Sequence, residues 1–324
     1  MLDNGPGPAE AARSRLPTVA KKNRTKTPPA SADGINPRAA CPCGSGKRYK
    51  ACHGAPGGVF VARPFEGLAD ECDWVALREL VPSATAPLTI KGHDDVTVQL
   101  GSLLPLAAPA MRRDSGQVWL GLQVQHNYGD VSRDLAAALL GALAAEESGI
   151  VGLTETPGDG PRLQDIVLGD ALEVTVHDGF DWWIADVEDK TGLEGALQQA
   201  NAAALPTARL AGVSAAYWTN TGTKEHLRWV MPEPEDALLT ALARLHVSGA
   251  DVIVPGARFV GMFRAHGLLA PVWDLPMGTG AAALEEPAVA FKAALDAALA
   301  DTSAPGDEVR SARAGLANRQ VTIR

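Results

Sequence analysis

The chain has 324 residues, 46% of them hydrophobic and 21% charged, the balance of an ordinary globular protein, which excludes a wholly disordered chain, a collagen-like repeat and a disulfide-dense mini-protein. That length allows one large domain or two of ordinary size. The formal net charge of −9 hides an asymmetry: residues 1–53 carry ten Lys and Arg against three Asp and Glu, a net of +7, and the remainder carries −16, so a polyanion would meet the front of the chain and be repelled by the rest.

The N-terminus, Met-Leu-Asp-Asn-Gly-Pro, has no apolar stretch followed by a small-residue cleavage site, so a secretory signal is not expected and the expected location is the cytoplasm. The longest apolar runs, such as Leu135–Ala145, stop at charges like Glu146 and Glu147, well short of the roughly 20 residues that cross a bilayer.

Residues 1–40 are rich in Pro, Ala, Ser and basic residues with almost no bulky apolar side chains. Such a segment buries too little surface to offset the entropy of ordering, which predicts a disordered basic arm. Next comes Cys41-Pro-Cys43-Gly-Ser-Gly-Lys-Arg-Tyr-Lys-Ala-Cys52-His53, four metal ligands in thirteen residues. Three thiolates and one imidazole complete a tetrahedral Zn²⁺ shell, and a shell with no open position is structural. Gly44 and Gly46 allow a tight reversal after the first ligand pair. Lys47, Arg48 and Lys50 offset the charge of about −1 that this ligand set leaves on the metal. A disulfide is disfavoured, because a Cys-x-Cys bridge is strained and cytosolic thiols stay reduced. Gly-Ser-Gly-Lys also fails the phosphate-loop pattern: Cys41 stands where the first Gly belongs and Arg48 replaces Ser or Thr.

Together with the preceding Asn36-Pro37, these residues resemble the SEC-C zinc motif, first named for the C-terminal tail of the SecA translocase motor. The resemblance implies Cys41, Cys43, Cys52 and His53 as zinc ligands. It also implies a protein partner, since the module binds the export chaperone SecB and has been associated with ribosomes. Here the motif precedes the body, and no helicase motor motif follows. The remaining 270 residues resemble an actinobacterial domain family of unknown function that often carries this motif.

Ala55-Pro-Gly-Gly58 reads as a hinge, and an α+β body is expected over 59–301. Trp74, Leu77, Leu80 and Val81 fall at helical spacing within 73–81. Four strand-strand-helix units follow. The first pairs Val96–Leu100 with Val118–Val124 and places a helix over Arg133–Glu146, with Ser132 as N-cap. The second pairs Leu172–Val176 with Trp182–Ile184 around His177-Asp-Gly-Phe180, ahead of a helix at Gly192–Ala203. Ala216–Thr219 and His226–Val230 flank Asn220-Thr-Gly-Thr223, and Pro232-Glu-Pro-Glu235 opens a helix to Leu245 with acids in its first turn. Finally, Phe259–Phe263 and Leu268–Leu275 flank His266-Gly267, and Glu285-Glu-Pro-Ala288 opens a helix to Ala300. This order predicts a mainly antiparallel sheet with helices on one face. Residues 302–324 lack periodicity and are expected to form a flexible tail, whose end Val321–Arg324 has an alternative reading as a docked strand.

No other constellation rises above background. His93, His126, His177, His226, His246 and His266 share no metal or base spacing. Asp94-Asp95 and Asp186–Asp189 read as solvated turns, and Cys72 beside Trp74 as a packed thiol. Gly212-Val-Ser214-Ala-Ala216 lacks the last glycine of a nucleophile elbow. Trp182 and Trp183, read as neighbours on one strand, must face opposite sides, leaving at least one to solvent, a helix or a partner. The reading that results is a non-catalytic zinc-binding adaptor for a protein or ribosomal partner. One alternative is nucleic-acid binding through Lys21, Lys22, Arg24, Lys26, Lys47, Arg48 and Lys50. The other is an enzyme whose site in the body carries no recognisable motif.

Overall fold

The structure is a computed structural model. It describes residues 60–322 except 125, 126, 154–156, 188 and 189, together with Ala39, Arg48 and Tyr49. The expected arm, the four zinc ligands, all the candidate binding residues except Arg48, and His126 and Asp189 lie outside the described residues.

In chain order the first half comprises α1 (Glu71–Glu79), β1 (Ala84–Ile90), β2 (Val98–Gly101), β3 (Ala110–Arg112), β4 (Val118–Gly121), α2 (Val131–Ala144), β5 (Gly149–Val151), α3 (Leu163–Ile166), β6 (Val167–Leu168) and β7 (Thr175–Val176). The second comprises α4 (Glu194–Ala203), β8 (Thr207–Arg209), β9 (Ala216–Asn220), β10 (Glu225–Trp229), α5 (Glu235–Ser248), β11 (Arg258–Ala265), β12 (Leu268–Leu275), α6 (Glu285–Ala300), α7 (Asp307–Ala317) and β13 (Gln320–Thr322). Two sheets form, ordered β5-β3-β4-β2-β1-β6 with β7 also on β1, and β13-β11-β12-β10-β9-β8. Among the described residues only β2 with β4 and β11 with β13 pair in parallel, so the expected α+β class with predominantly antiparallel pairing is what the chain adopts.

β1 shows how sequence sets these ladders. Ala84, Ala86, Leu88 and Ile90 point inward at every second position, the period of a half-buried strand. Pro87 has no N–H to give a ladder. One edge of β1 is accordingly divided: β7 pairs with Ala84 and Thr85, β6 with Thr89 and Ile90, and nothing is asked of the residues between.

Two large cores alternate through the second sheet. Tyr217, Val230, Leu268 and Ala270 face a core shared with α1, α2 and the first sheet. Ala216, Leu227, Trp229, Leu269 and Trp273 face the other way, onto Leu238 and Leu242 of α5, Phe291 and Leu295 of α6, and Leu316 of α7. α1 is thus an inner layer, and Trp74, Val75, Ala76 and Leu77 are all buried.

The third and fourth expected units stand as read. The β11–β12 turn, His266-Gly267, has φ of 47° and 81°, the two left-handed positions of a type I′ hairpin turn. The first unit differs: β2 and β4 are parallel neighbours, because the short β3 intervenes in sequence and pairs on the outer side of β4. The α2 N-cap is Asp130, whose side chain accepts from Arg133 N. Ser132 lies within the helix, where its hydroxyl donates to Gln164 Oε1 and accepts from Leu163 N. In the second unit Asp181–Ile184 is a 3₁₀ turn, not a strand, closed by Trp183 N donating to Phe180 O at 2.8 Å. The segment expected as a tail holds α7, packed on α5, and β13, docked on β11. Its polar composition concealed a helix that needs to bury only Leu316. Among the described residues, no helix is long and apolar enough to cross a membrane.

Candidate functional site

Of the zinc motif only Ala39, Arg48 and Tyr49 are described. Tyr49 N donates to Ala39 O at 2.8 Å. Tyr49 is fully buried, whereas Arg48 is exposed. Among the described residues, no group of three or more His, Cys, Asp or Glu forms a metal site.

The body's histidines pair with neighbours but do not converge. His226 Nδ1 lies 3.0 Å from Asp274 Oδ1, and His246 Nδ1 lies 2.6 Å from Asp251 Oδ2. His266 Nε2 lies 2.7 Å from Glu79 Oε1 and 3.1 Å from Arg78 Nε, at the seam between α1 and the β11–β12 hairpin. Burial holds His266 below its ordinary pKa, so it is neutral at pH 7. Burial pushes Glu79 up, but the His266 hydrogen bond and the Arg78 charge outweigh it and keep its carboxyl below the usual range. At the other end of α1, Asp73 is fully buried and accepts from Arg209 Nε and Nη2 at 3.1 and 2.9 Å and from the Tyr217 hydroxyl. Burial and the Asp73 charge raise the Tyr217 pKa well above its normal value. The Glu79–His266 contact and the Asp73–Arg209–Tyr217 cluster thus join the two halves of the chain. Cys72 is buried, as expected, and burial pushes its thiol up to about 12, which leaves it protonated and unreactive.

The surface that does face outward is built on the far side of the first sheet. Trp182 lies over β2 because Gly101 leaves room: a Cβ there would sit 2.6 Å from the ring. Its indole stacks on Trp119 at 4.9 Å and 19°, and Nε1 donates to Ser83 Oγ. Trp183 stands at 77° to it and donates to Leu103 O, with Phe180 4.4 Å away. Both tryptophans remain partly exposed; on a 3₁₀ turn they need not face opposite sides. Arg113 caps the cluster, 5.2 Å above Trp119 and 2.8 Å from Asp186. A cavity of 330 Å³ opens beside it, lined by Val176, His177, Asp178, Gly179, Asp181 and Trp182.

Three features of this surface lack a packing purpose. Leu106, two residues beyond the buried Leu104 of the same cluster, is 85% exposed. Leu106 and Ala107 both have left-handed φ, 59° and 52°, which costs roughly 1–2 kcal/mol per residue outside glycine. α4 buries none of its residues and is tied down by Asn201, which accepts from Phe180 N and donates to Asp181. Moreover, residues 165–194 carry nine Asp and Glu against Lys190 alone, a net of −8, half the charge of the body. All seven of those acids within the described residues are exposed, and among the described residues only Asp186 is ion-paired. A charge count over a moving window would have found this segment; dividing the chain only at residue 53 hid it.

The family of unknown function DUF5926 matches residues 64–324. The chain belongs to that family. The SEC-C motif matches residues 39–55, directly ahead of the DUF5926 region. No curated protein and no solved structure matches the chain.

Proposed function

We propose that this DUF5926 protein is a non-catalytic zinc-binding adaptor that engages a protein or ribosome-associated partner through its SEC-C motif. The observation that carries the reading is the motif itself, with three cysteines and a histidine at the spacing of a closed structural site. Cys41, Cys43, Cys52 and His53 would hold the metal; between the two ligand pairs Tyr49 is buried and Arg48 is exposed. Bound zinc supplies folding energy of about 10–16 kcal/mol in finger peptides and no catalysis. Metal analysis of the purified chain should find one zinc, lost in Cys52→Ser; a zinc-free native protein, or full retention in that variant, refutes the reading. A pull-down with and without residues 1–54 then tests the partner.

A second reading, polyanion binding through Lys21, Lys22, Arg24, Lys26, Lys47, Arg48 and Lys50, is favoured by the split of +7 against −16 along the chain. Such binding weakens steeply with salt, because it is driven by counterion release.

A further inference from the structure

We infer that the aromatic and acidic surface around Trp182 is the docking site of this chain's own basic segment, residues 13–26. The surface has the chemistry for such an occupant. Its apolar part is the partly exposed Trp182 and Trp183, and Asp178, Asp181 and Asp186 are its carboxylates. Indole faces attract Lys and Arg cations, most strongly where carboxylates stand beside them. Residues 13–26 supply Arg13, Arg15, Lys21, Lys22, Arg24 and Lys26 with no acid among them, interleaved with Leu16, Pro17 and Val19. A net of +6 thus meets the carboxylates of Asp178, Asp181 and Asp186, within a segment, 165–194, whose sequence carries −8.

Reach permits the contact. The cavity lies at the Ala84 end of β1, where Val176 pairs, and the start of the body lies towards the other end: Pro64 O accepts from Arg162 and Gln164, just before the β6 residues that pair with Thr89 and Ile90. The seven residues of β1 span roughly 20 Å. With the zinc motif folded, residues 27–40 alone extend to roughly 45 Å. Tethering makes the encounter intramolecular, at an effective concentration on the order of millimolar. The inference is independent of the zinc reading, because none of its residues is a ligand.

Zero-length carbodiimide cross-linking of the full chain, mapped by mass spectrometry, tests it. Nine of the 35 acids beyond residue 53 lie in 165–194, so undirected chemistry places about a quarter of the links from Lys21, Lys22 and Lys26 there. The expected result is a clear majority, falling to that quarter in 0.5 M salt, where screening acts within about 4 Å. A second measurement uses Asp170→Asn, Glu173→Gln, Asp178→Asn and Asp181→Asn together, all at exposed positions. Brief trypsin treatment should cut after residues 13–26 several-fold faster in this variant than in the parent. Links scattered in proportion to exposure, or equal cleavage rates, overturn the inference. So do links that, in a mixture of isotope-labelled and unlabelled chains, join one copy to another.

Discussion

Asp73→Ala removes a buried carboxylate that ties α1 to β8 and β9 of the second sheet. Its side chain is 1% exposed and holds three donors, two from Arg209 and one from Tyr217. The substitution leaves the buried Tyr217 hydroxyl without an acceptor, at a cost of about 1–3 kcal/mol. Arg209 suffers less, because its side chain is 27% exposed and regains water. A total of about 3 kcal/mol follows, at the bottom of the roughly 3–5 kcal/mol range for breaking a fully buried pair. Tyr217→Phe removes one hydrogen bond to a charge and should cost about 2 kcal/mol. In the double variant the hydroxyl and its acceptor vanish together, so the losses should fall short of their sum by about 2 kcal/mol. Urea denaturation at pH 7, followed by tryptophan fluorescence, measures all three; with a slope of about 3 kcal/mol/M, Asp73→Ala should shift the midpoint by about 1 M. Strictly additive single variants, or an unshifted midpoint for Asp73→Ala, would show that the triad does not join the halves.

Burial raises the carboxyl of Asp134 to about 6, despite the Tyr128 N–H it accepts. The folded state therefore binds a proton that the unfolded chain releases, so stability should be lower above pH 6 and recover as pH falls from 6 towards 4. Asp134→Asn keeps the acceptor without the charge and should be more stable than the parent by about 2 kcal/mol at pH 7.5, the two converging near pH 4; a variant less stable at pH 7.5 contradicts this. Leu106→Gly loses almost no buried surface and relieves a left-handed φ, so calorimetry should show a gain of about 0.5–1 kcal/mol after glycine's entropy is counted; a lower melting temperature refutes it.

The elements legible from sequence were those whose signals are local. β9–β10 and β11–β12 announce themselves by alternation around turn residues, and α5 and α6 by acids in the first turn. β1 was missed because Pro87 and small residues blur its period, and β3 because three residues carry none. The parallel pairing of β2 with β4 leaves no mark in either strand. Trp182 and Trp183 read as a strand by their side chains, yet their position is set by Gly101, 81 residues before Trp182. The site divided in the same way: the zinc motif is compact and was read from spacing, whereas the Asp73 triad spans 144 positions and had no local signature.

The inner placement of α1 bears on how the chain is made. Asp73 is synthesised 136 residues before Arg209 and 144 before Tyr217, an interval of roughly 7–30 s at ordinary elongation rates. Until then the inner helix has its own sheet on one side and, on the other, the apolar surface that Tyr217, Val230, Leu268 and Ala270 will cover. The first half thus leaves the ribosome with an unfinished core and a carboxylate awaiting its partners, and only the late arrival of the second sheet closes it.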